Sequence, residues 1–306
     1  MKKILFYDEN LNERGTSVAT YDYAYYNQKI LGNRSIIVST KDKHSYSYQK
    51  YKKSFDIVLI NDINDINKIK CDYFYYLKWG FNDGILHQNA KSLVHVVFPI
   101  YEPHGDSYVY ISKWLADNCG NDLPYVPHMV NLPKIKTNLK NKLNIKDQLV
   151  IGWYGGNNFE IPFAIQAVID VANKRKDIVF LFMNMEPFCD IKNVLFLELT
   201  TDINEKVSFI NTCDAMIHAR ERGETFGLAI AEFSSMNKPI ITYYNSPERC
   251  HIDILKNKGI YYTDYQSLTD ILYNIQHSDI NNKDWNCYTE FNPENVINKF
   301  KDTFIK

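Results

Sequence analysis

Short apolar runs of strand length alternate along the chain with longer segments whose apolar positions follow a helical spacing. Runs rich in β-branched and aromatic residues predict twelve strands, at residues 4–7, 35–38, 55–60, 72–77, 93–98, 108–112, 149–154, 178–183, 194–197, 214–219, 239–242 and 260–263. Apolar residues three and four positions apart predict helices, at residues 16–31, 161–173, 206–213, 226–236, 251–255 and 293–304. This alternation favours parallel sheets with helices on both faces. The pattern therefore predicts an α/β protein.

A change of composition after residue 131 marks a boundary between two domains. The lysines there are not balanced by an acid before Asp147, and they are Lys134, Lys136, Lys140, Lys142 and Lys146. Two interpretations stand: a solvated linker, or a basic edge that meets an anionic acceptor or a membrane surface. We predict a Rossmann-like domain at residues 1–131 and a second one at residues 132–291.

Charge and cysteine content exclude several classes of function. A formal net charge of -1 gives no reason to expect a nucleic-acid partner. No apolar run approaches the roughly 18 residues of a membrane span. Two lysines after Met1 lead directly into the first strand, so we expect no signal peptide and a cytoplasmic protein. The six cysteines are scattered without a C-x-x-C pair, which favours reduced thiols over disulfides or a zinc site.

Two further loops lack the sequence motifs of well-known ligand sites. The loop at residues 8–16, after the first strand, lacks the G-x-G-x-x-G pattern of a dinucleotide site. The alternating acids at residues 61–65 lack the order of a calcium loop. We therefore predict neither a bound dinucleotide nor a metal.

The strongest candidate site lies in residues 214–244, which read as strand, charged loop, helix and strand. In such a unit the first loop lies at the carboxyl edge of the sheet, where open α/β folds bind ligands. The backbone N–H groups of Phe226, Gly227 and Leu228 would point into that crevice at the helix start, an arrangement that favours a phosphate.

Two carboxylates flank this helix start. Glu224 and Glu232 are eight positions apart, or roughly 12 Å along a helix. Glycosidase carboxylate pairs are closer, at about 5–9.5 Å. The two acids are therefore predicted to contact different parts of one extended ligand, and a nucleotide sugar has the right length.

The run Glu224-Thr-Phe-Gly-Leu, followed by Glu232 and a proline-led strand, resembles the E-x7-E motif of family 4 glycosyltransferases. These are retaining enzymes of the GT-B fold. The resemblance implies two Rossmann-like domains that face a cleft, with the donor held mainly by the second domain. It implies that Glu224 lies by the donor sugar, that the amides of Gly227 and Leu228 approach the sugar and phosphate, and that Glu232 holds the ribose. Thr225 and Phe226, inside the motif, are assigned to the same donor site.

The resemblance also implies functional residues in the first domain. Arg14, Gly15 and Thr16 become candidates for phosphate or acceptor contact, the alternative being an ordinary helix-start loop. His104 loosely fits a cleft-facing histidine of the family, which would bond a donor hydroxyl or organise the acceptor; the alternative is an incidental polar residue. The last helix, in residues 292–306, is implied to pack back on this domain. Four tyrosines of the first helix either pack or offer flat faces to an acceptor: Tyr21, Tyr23, Tyr25 and Tyr26.

The chain departs from the family pattern after the first strand of the second domain. Family members usually carry Gly-Arg and then Lys-Gly there, and the two cations grip the donor diphosphate. Here Gly155, Gly156 and Asn157 follow the strand, and no basic residue occurs before Lys174. The glycines still allow close approach of the backbone to a phosphate, so we assign all three residues to the donor site.

Other cations are candidates to replace the missing pair. Arg220 and Arg222 are nearest, because arginine donates two parallel hydrogen bonds to phosphate. The alternative is that both pair with Glu221 and Glu224. His218, at the strand end, either contacts the phosphate or sugar or is a buried strand-end histidine.

The resemblance implies a glycosyltransferase that moves a sugar from a nucleotide sugar, UDP- or GDP-linked, to a glycan or other hydroxyl acceptor. The reaction would retain anomeric configuration without metal or cofactor, and Glu224 would stabilise the positive charge at the anomeric carbon. The alternatives are a non-catalytic module that binds a glycan or a partner, and a nucleotide-sugar epimerase. A glycoconjugate is the expected second partner, and the basic linker leaves a peripheral membrane contact open.

Overall fold

The computed structural model describes residues 1–12, 14–40, 46–120, 123–155 and 158–305, and all twelve predicted strands are present in it. The chain divides into two compact units. The first unit comprises residues 1–129 and 290–306, and the second comprises residues 130–289. Each unit is built around one six-stranded parallel sheet.

The first unit alternates strands and helices from its first residues. Its strands are β1 (Lys3–Tyr7), β2 (Arg34–Ser39), β3 (Asp56–Leu59), β4 (Tyr73–Lys78), β5 (Lys91–Val96) and β6 (Ser107–Tyr110). Its helices before the boundary are α1 (Gly15–Lys29), α2 (Tyr46–Lys52), α3 (Lys113–Cys119) and the 3-10 turn Ile63–Lys68. The strand order is β3-β2-β1-β4-β5-β6, so the direction of winding changes between β1 and β4.

The second unit repeats this topology. Its sheet contains β7 (Leu149–Tyr154), β8 (Ile178–Met183), β9 (Val194–Leu197), β10 (Ala215–His218), β12 (Ile240–Tyr243) and β14 (Ile260–Tyr262), and a separate two-residue ladder joins β11 (Gly223–Glu224) to β13 (Glu248–Arg249). The helices are α4 (Pro162–Lys174), α5 (Ile203–Thr212), α6 (Leu228–Ser235), α7 (Cys250–Leu255), α8 (Tyr265–Asn274), α9 (His277–Ile280) and the 3-10 turn Lys256–Lys258. The order β9-β8-β7-β10-β12-β14 changes winding direction between β7 and β10.

The C-terminal segment belongs to the first unit and completes its core. After the 3-10 turn Thr289–Phe291, helix α10 (Pro293–Phe304) packs Phe300 against the sheet and against α1. The ring of Phe300 lies 5.3 Å from that of Tyr23 and 5.5 Å from that of Tyr75, centroid to centroid. All three side chains are buried. Tyr23 is therefore a packing residue, as one of the two interpretations of the α1 tyrosines held.

Five of the six predicted helix starts differ from the structure by one to three residues, the largest difference being at α5, which begins at Ile203 and not at 206. Helix α6 begins at Leu228 and not at 226, because Gly227 adopts a left-handed conformation with φ +85° and caps the helix. Helix α1 begins at Gly15, so Thr16 lies in its first turn.

Two further predictions from composition concern the cysteines and membrane-spanning helices. All six cysteines lie in the described residues, and none of them forms a disulfide. Among the described helices, none is long and apolar enough to cross a membrane.

Candidate functional site

The carboxyl edge of the second sheet gathers most of the predicted donor residues. His218 ends β10, the loop that follows it contains Arg220, and Glu224 lies in the short strand β11. Helix α6 starts directly after this loop. These elements lie beside the change of winding between β7 and β10, the place where α/β sheets of this order open a crevice for ligands.

Glu224 is held by two basic side chains at once. Its Oε1 lies 3.3 Å from Nε2 of His218, and its Oε2 accepts a hydrogen bond of 3.1 Å from Nη1 of Arg220. The side chain is 18% exposed, so it is mostly screened from water. Burial alone would raise the pKa of Glu224, but the His218 hydrogen bond and the Arg220 charge outweigh burial and lower the pKa to about 2. Glu224 is therefore a fixed carboxylate at neutral pH.

Behind Glu224 a chain of hydrogen bonds runs into the core. The register of β10 and β12 places Thr242 beside His218, and the Thr242 hydroxyl lies 2.8 Å from Nδ1 of His218. On the other side the same hydroxyl lies 3.2 Å from Nε2 of His251. His218, Thr242 and His251 are all fully buried. Burial lowers the pKa of His251 to about 3, so His251 is neutral at pH 7.

The partners fix the direction of these hydrogen bonds. A carboxylate only accepts, so Nε2 of His218 carries the proton that points at Glu224. In a neutral His218 the other nitrogen, Nδ1, accepts from the Thr242 hydroxyl, whose oxygen in turn accepts from Nε2–H of His251. We call this chain of three residues the relay. The relay directs the Nε2–H group of His218 at Glu224, so His218 positions that carboxylate.

The loop between β10 and α6 is held by the β11–β13 ladder, which sequence reasoning missed. Gly223 pairs with Glu248 and has φ +82°. A Cβ on Gly223 would lie 2.1 Å from the Glu248 carbonyl oxygen, so only glycine fits. The signal in the sequence is a glycine directly before the motif glutamate.

The predicted substitute cations are both paired with acids. Arg220 bonds Glu224 and lies 3.5 Å from Glu160, while Arg222 donates to Glu248 at 2.6 Å. The pairing interpretation of the sequence therefore holds for Arg220 and Glu224, but Arg222 pairs with Glu248 and not with Glu221.

The start of α6 lies against Glu224. A Cβ on Gly227 would be 3.2 Å from Cβ and Cγ of Glu224, so the glycine lets the helix start approach the carboxylate. Among the described residues, no side chain accepts a hydrogen bond from the first-turn N–H groups, which begin with Leu228. Thr225 and Phe226 are buried, and the Phe226 ring packs against Tyr288. Phe226 thus supports the site from the core.

Glu232 lies in the second turn of α6 and forms an ion pair that the sequence did not reveal. Its Oε1 is 2.6 Å from Nζ of Lys206 on α5, and Glu232 is only 7% exposed. The Lys206 ammonium lies 5.5 Å from the Tyr154 ring centroid, over the end of β7. Lys206 is thus a cation at the carboxyl edge that no motif pointed to.

A cavity of about 580 Å³ lies at the ends of β8 and β9 on the same edge. Its walls include polar and apolar side chains, among them Asn158, Asn184, Glu186, Phe196, Glu198 and Leu199. Asn184 donates to the carbonyl of Gly155 at 2.9 Å, which joins the cavity wall to the glycine loop. Of the three predicted loop residues, Gly155 is described, whereas Gly156 and Asn157 lie outside the described residues.

The predicted residues of the first unit lie at the carboxyl edge of its own sheet. Arg14 occupies the N-cap position of α1 without a capping hydrogen bond from its side chain, and Gly15 and Thr16 lie in the first turn; all three are exposed. His104 donates from Nδ1 to the Glu102 carbonyl at 2.6 Å, and its Nε2 lies 3.1 Å from the buried Nζ of Lys78. Both ring nitrogens of His104 are therefore engaged.

The chain has the two-domain fold of the GT-B glycosyltransferases. Similar solved structures include Anabaena HepE in complex with UDP-glucose, which is 13% identical with a TM-score of 0.72 over 99% of both chains. TarM is 10% identical, with a TM-score of 0.70 over 100% of this chain and 99% of the other. A putative UDP-N-acetylglucosamine 2-epimerase from Listeria monocytogenes is 13% identical, with a TM-score of 0.63 over 99% and 96%. No protein-family model and no curated protein sequence matches the chain.

Proposed function

We propose that the protein is a glycosyltransferase that takes its sugar from a UDP-sugar bound at the carboxyl edge of the second sheet. The observation that carries the proposal is Glu224, an ionised carboxylate fixed by His218 and Arg220 directly against the start of α6. The fold supports it, because the similar structures include HepE in complex with UDP-glucose and HepE in complex with UDP and glucose.

The proposed donor spans the whole edge. Its phosphates lie at the start of α6, where N–H groups of the first turn and the helix dipole favour negative charge. The ribose lies near Glu232, whose carboxylate has several lone pairs and accepts hydroxyl hydrogens beside its ion pair with Lys206. The base enters the cavity at the ends of β8 and β9.

The transfer step breaks the bond between the anomeric carbon and a phosphate oxygen and forms a bond from that carbon to an acceptor hydroxyl oxygen. The acceptor proton goes to the departing phosphate on the same face, so the configuration is retained and no metal is needed. Glu224 stabilises the positive charge that builds at the anomeric carbon. It does not act as a general acid, because a pKa of about 2 is far below the working pH.

The test is the isosteric variant Glu224→Gln, with Glu221→Gln as a matched control from the exposed part of the same loop. We expect Glu224→Gln to abolish sugar transfer while UDP binding and folding persist, and Glu221→Gln to remain active. Near-native transfer by Glu224→Gln would remove Glu224 from the mechanism.

A nucleotide-sugar epimerase is the second candidate, because one similar structure is described as a putative UDP-N-acetylglucosamine 2-epimerase. The two activities differ in their need for an acceptor. An epimerase converts the UDP-sugar in its absence, whereas the proposed transferase forms a new glycoside only when an acceptor is added. Incubation of the donor alone, followed by chromatography of the sugar, separates them.

A further inference from the structure

Two loops lie side by side at the carboxyl edge of the first sheet, and their contacts follow a register. The loop after β4 comprises residues 79–90, and the loop after β5 comprises residues 97–106. Asn82 N donates to Oε2 of Glu102 at 2.8 Å. A Cβ on Gly80 would lie 2.9 Å from Cβ of Ile100. Gly80 and Asn82 of the first loop therefore face Ile100 and Glu102 of the second loop.

Three residues next to these facing positions point outward and are aromatic. Trp79 is 62% exposed, Phe81 is 52% exposed and Tyr101 is 57% exposed. We call these three residues the aromatic surface. Elsewhere among the described residues of the first unit, the large apolar side chains that are exposed are Met1 and Ile30, neither of them aromatic. Exposed aromatic area is thus concentrated at the edge where ligands bind in such sheets.

The backbone beneath the aromatic surface is fixed. The Tyr108 hydroxyl lies 2.8 Å from the Gly80 carbonyl and 2.9 Å from the Ile100 carbonyl, and it accepts from Glu102 N at 3.2 Å. One side chain therefore holds both loops. Gly80 has φ +127°, and a Cβ there would lie 2.8 Å from Val96, so no other residue fits without a shift. Rings held on a fixed backbone lose little freedom on binding, which favours a recognition surface.

The charges around the aromatic surface identify the kind of occupant. The two loops contain Asp83, Glu102 and Asp106 and no lysine or arginine. Lys78, directly before the first loop, has a side chain only 3% exposed and is paired with Asp83. Aromatic residues that anchor proteins to anionic lipid are accompanied by exposed basic residues. An acidic rim opposes that use.

The same combination suits a carbohydrate. A sugar ring has an apolar C–H face that packs on a flat aromatic ring, and its hydroxyl groups donate hydrogen bonds to carboxylates. Small-molecule sites generally combine aromatic walls with a few placed polar groups. We propose that the aromatic surface, rimmed by Asp83 and Glu102, binds the glycan part of the acceptor. The word acceptor rests on the proposed function, whereas glycan binding by itself does not.

The test compares replacements of Trp79 that separate flatness from hydrophobicity. Binding is measured to an array of immobilised neutral oligosaccharides built from glucose, galactose and N-acetylglucosamine. We expect Trp79→Ala and Trp79→Leu to weaken glycan binding about tenfold, because both lack a flat ring, and Trp79→Tyr to stay within about threefold of wild type. Ile30→Ala is the matched control, an exposed apolar residue at the end of α1 that should leave binding unchanged.

Three outcomes would overturn the inference. They are no glycan binding by the folded wild-type protein, equal binding by all four variants, and full binding by Trp79→Leu, which would indicate ordinary hydrophobic docking. Vesicles of phosphatidylcholine with phosphatidylglycerol form a second arm, and Trp79-dependent binding to vesicles without glycan binding would assign the surface to lipid. UDP binding by the Trp79 variants reports on the donor site separately. Glycan binding without UDP affinity would refute the proposed function and leave this inference standing.

Discussion

The two sheets share one strand order, yet their carboxyl edges carry opposite chemistry. At the edge of the second unit, Glu224 and Glu232 are largely buried and each is paired with a cation. At the edge of the first unit, Trp79, Phe81 and Tyr101 are exposed on loops without a lysine or arginine. The topology determines where a site forms, and the side chains at that place determine what it binds.

The difference also concerns how each edge is made rigid. In the second unit, rigidity comes from the buried polar side chains of the relay behind Glu224 and from the backbone pairing of β11 with β13. In the first unit, the Tyr108 hydroxyl holds two loops through backbone groups and leaves the aromatic side chains open. A buried polar network suits a reacting centre with developing charge, whereas an open aromatic surface suits a neutral polyol.

The largest loss of stability is expected at Gly223, where the carboxyl edge of the second sheet leaves no space for a side chain. Gly223→Ala places a Cβ against the Glu248 carbonyl and imposes φ +82° on an alanine. We expect a loss of about 3 kcal/mol in the free energy of unfolding, measured by urea denaturation. The control is Gly84→Ala in the first unit, which has φ +75° but no atom within 4 Å of a Cβ. It should cost about 1 kcal/mol, and equal losses for the two variants would contradict the steric account.

A second prediction concerns the loss of stability at acid pH that arises from Glu224. The pKa of Glu224 is lowered from its ordinary 4.5 to about 2, so the folded state favours the carboxylate. This stabilisation is complete above the unfolded-state pKa and is lost as the pH falls through the folded-state pKa. From pH 5 to pH 2, the free energy of unfolding of wild type should therefore fall relative to Glu224→Gln, by about 3 kcal/mol.

The same titration on Glu221→Gln provides the comparison. Glu221 lies in the same loop but is exposed, so Glu221→Gln controls for the removal of a loop carboxylate. A flat difference between wild type and Glu224→Gln would mean that His218 and Arg220 do not hold Glu224 as a carboxylate.

The smallest effect is expected from the relay. Thr242→Val keeps the shape of the side chain but leaves His218 and His251 without their shared hydroxyl, at a cost of about 1–3 kcal/mol in unfolding free energy. We expect kcat to fall while UDP affinity stays unchanged, because His218 no longer orients Glu224. Thr242→Ser, which restores the hydroxyl, should recover kcat. Equal kcat values for the two variants would leave Thr242 a packing residue.

Most of the fold could be predicted from the sequence, because strands buried on both faces consist of continuous runs of β-branched and aromatic residues. The run at 178–183, for example, forms β8 over Ile178–Met183. The start of α6 was missed by two residues, since the left-handed conformation of Gly227 depends on its packing against Glu224. Local sequence propensity does not predict such a tertiary contact.

The candidate site was predictable only where it is local in sequence. Glu224, Gly227 and Glu232 lie in one motif, so their proximity followed from it. Lys206 and His251 reach the site from other helices, through contacts that fold topology creates. Likewise, the sequence offered the tyrosines of α1 as an aromatic acceptor surface, whereas the exposed rings lie on two loops that only the strand pairing of β4 and β5 brings together.

The most direct test of the central claim is thermal unfolding in the presence of UDP, with GDP, dTDP and ADP as matched nucleotides. Ligand at a hundred times its dissociation constant adds about 2.7 kcal/mol, which corresponds to several degrees at roughly 2–4 °C per kcal/mol. We predict that UDP raises the melting temperature by this amount and that Glu232→Gln reduces the shift. No shift with any of the four nucleotides, from folded protein, would contradict a donor site at the edge of the second sheet.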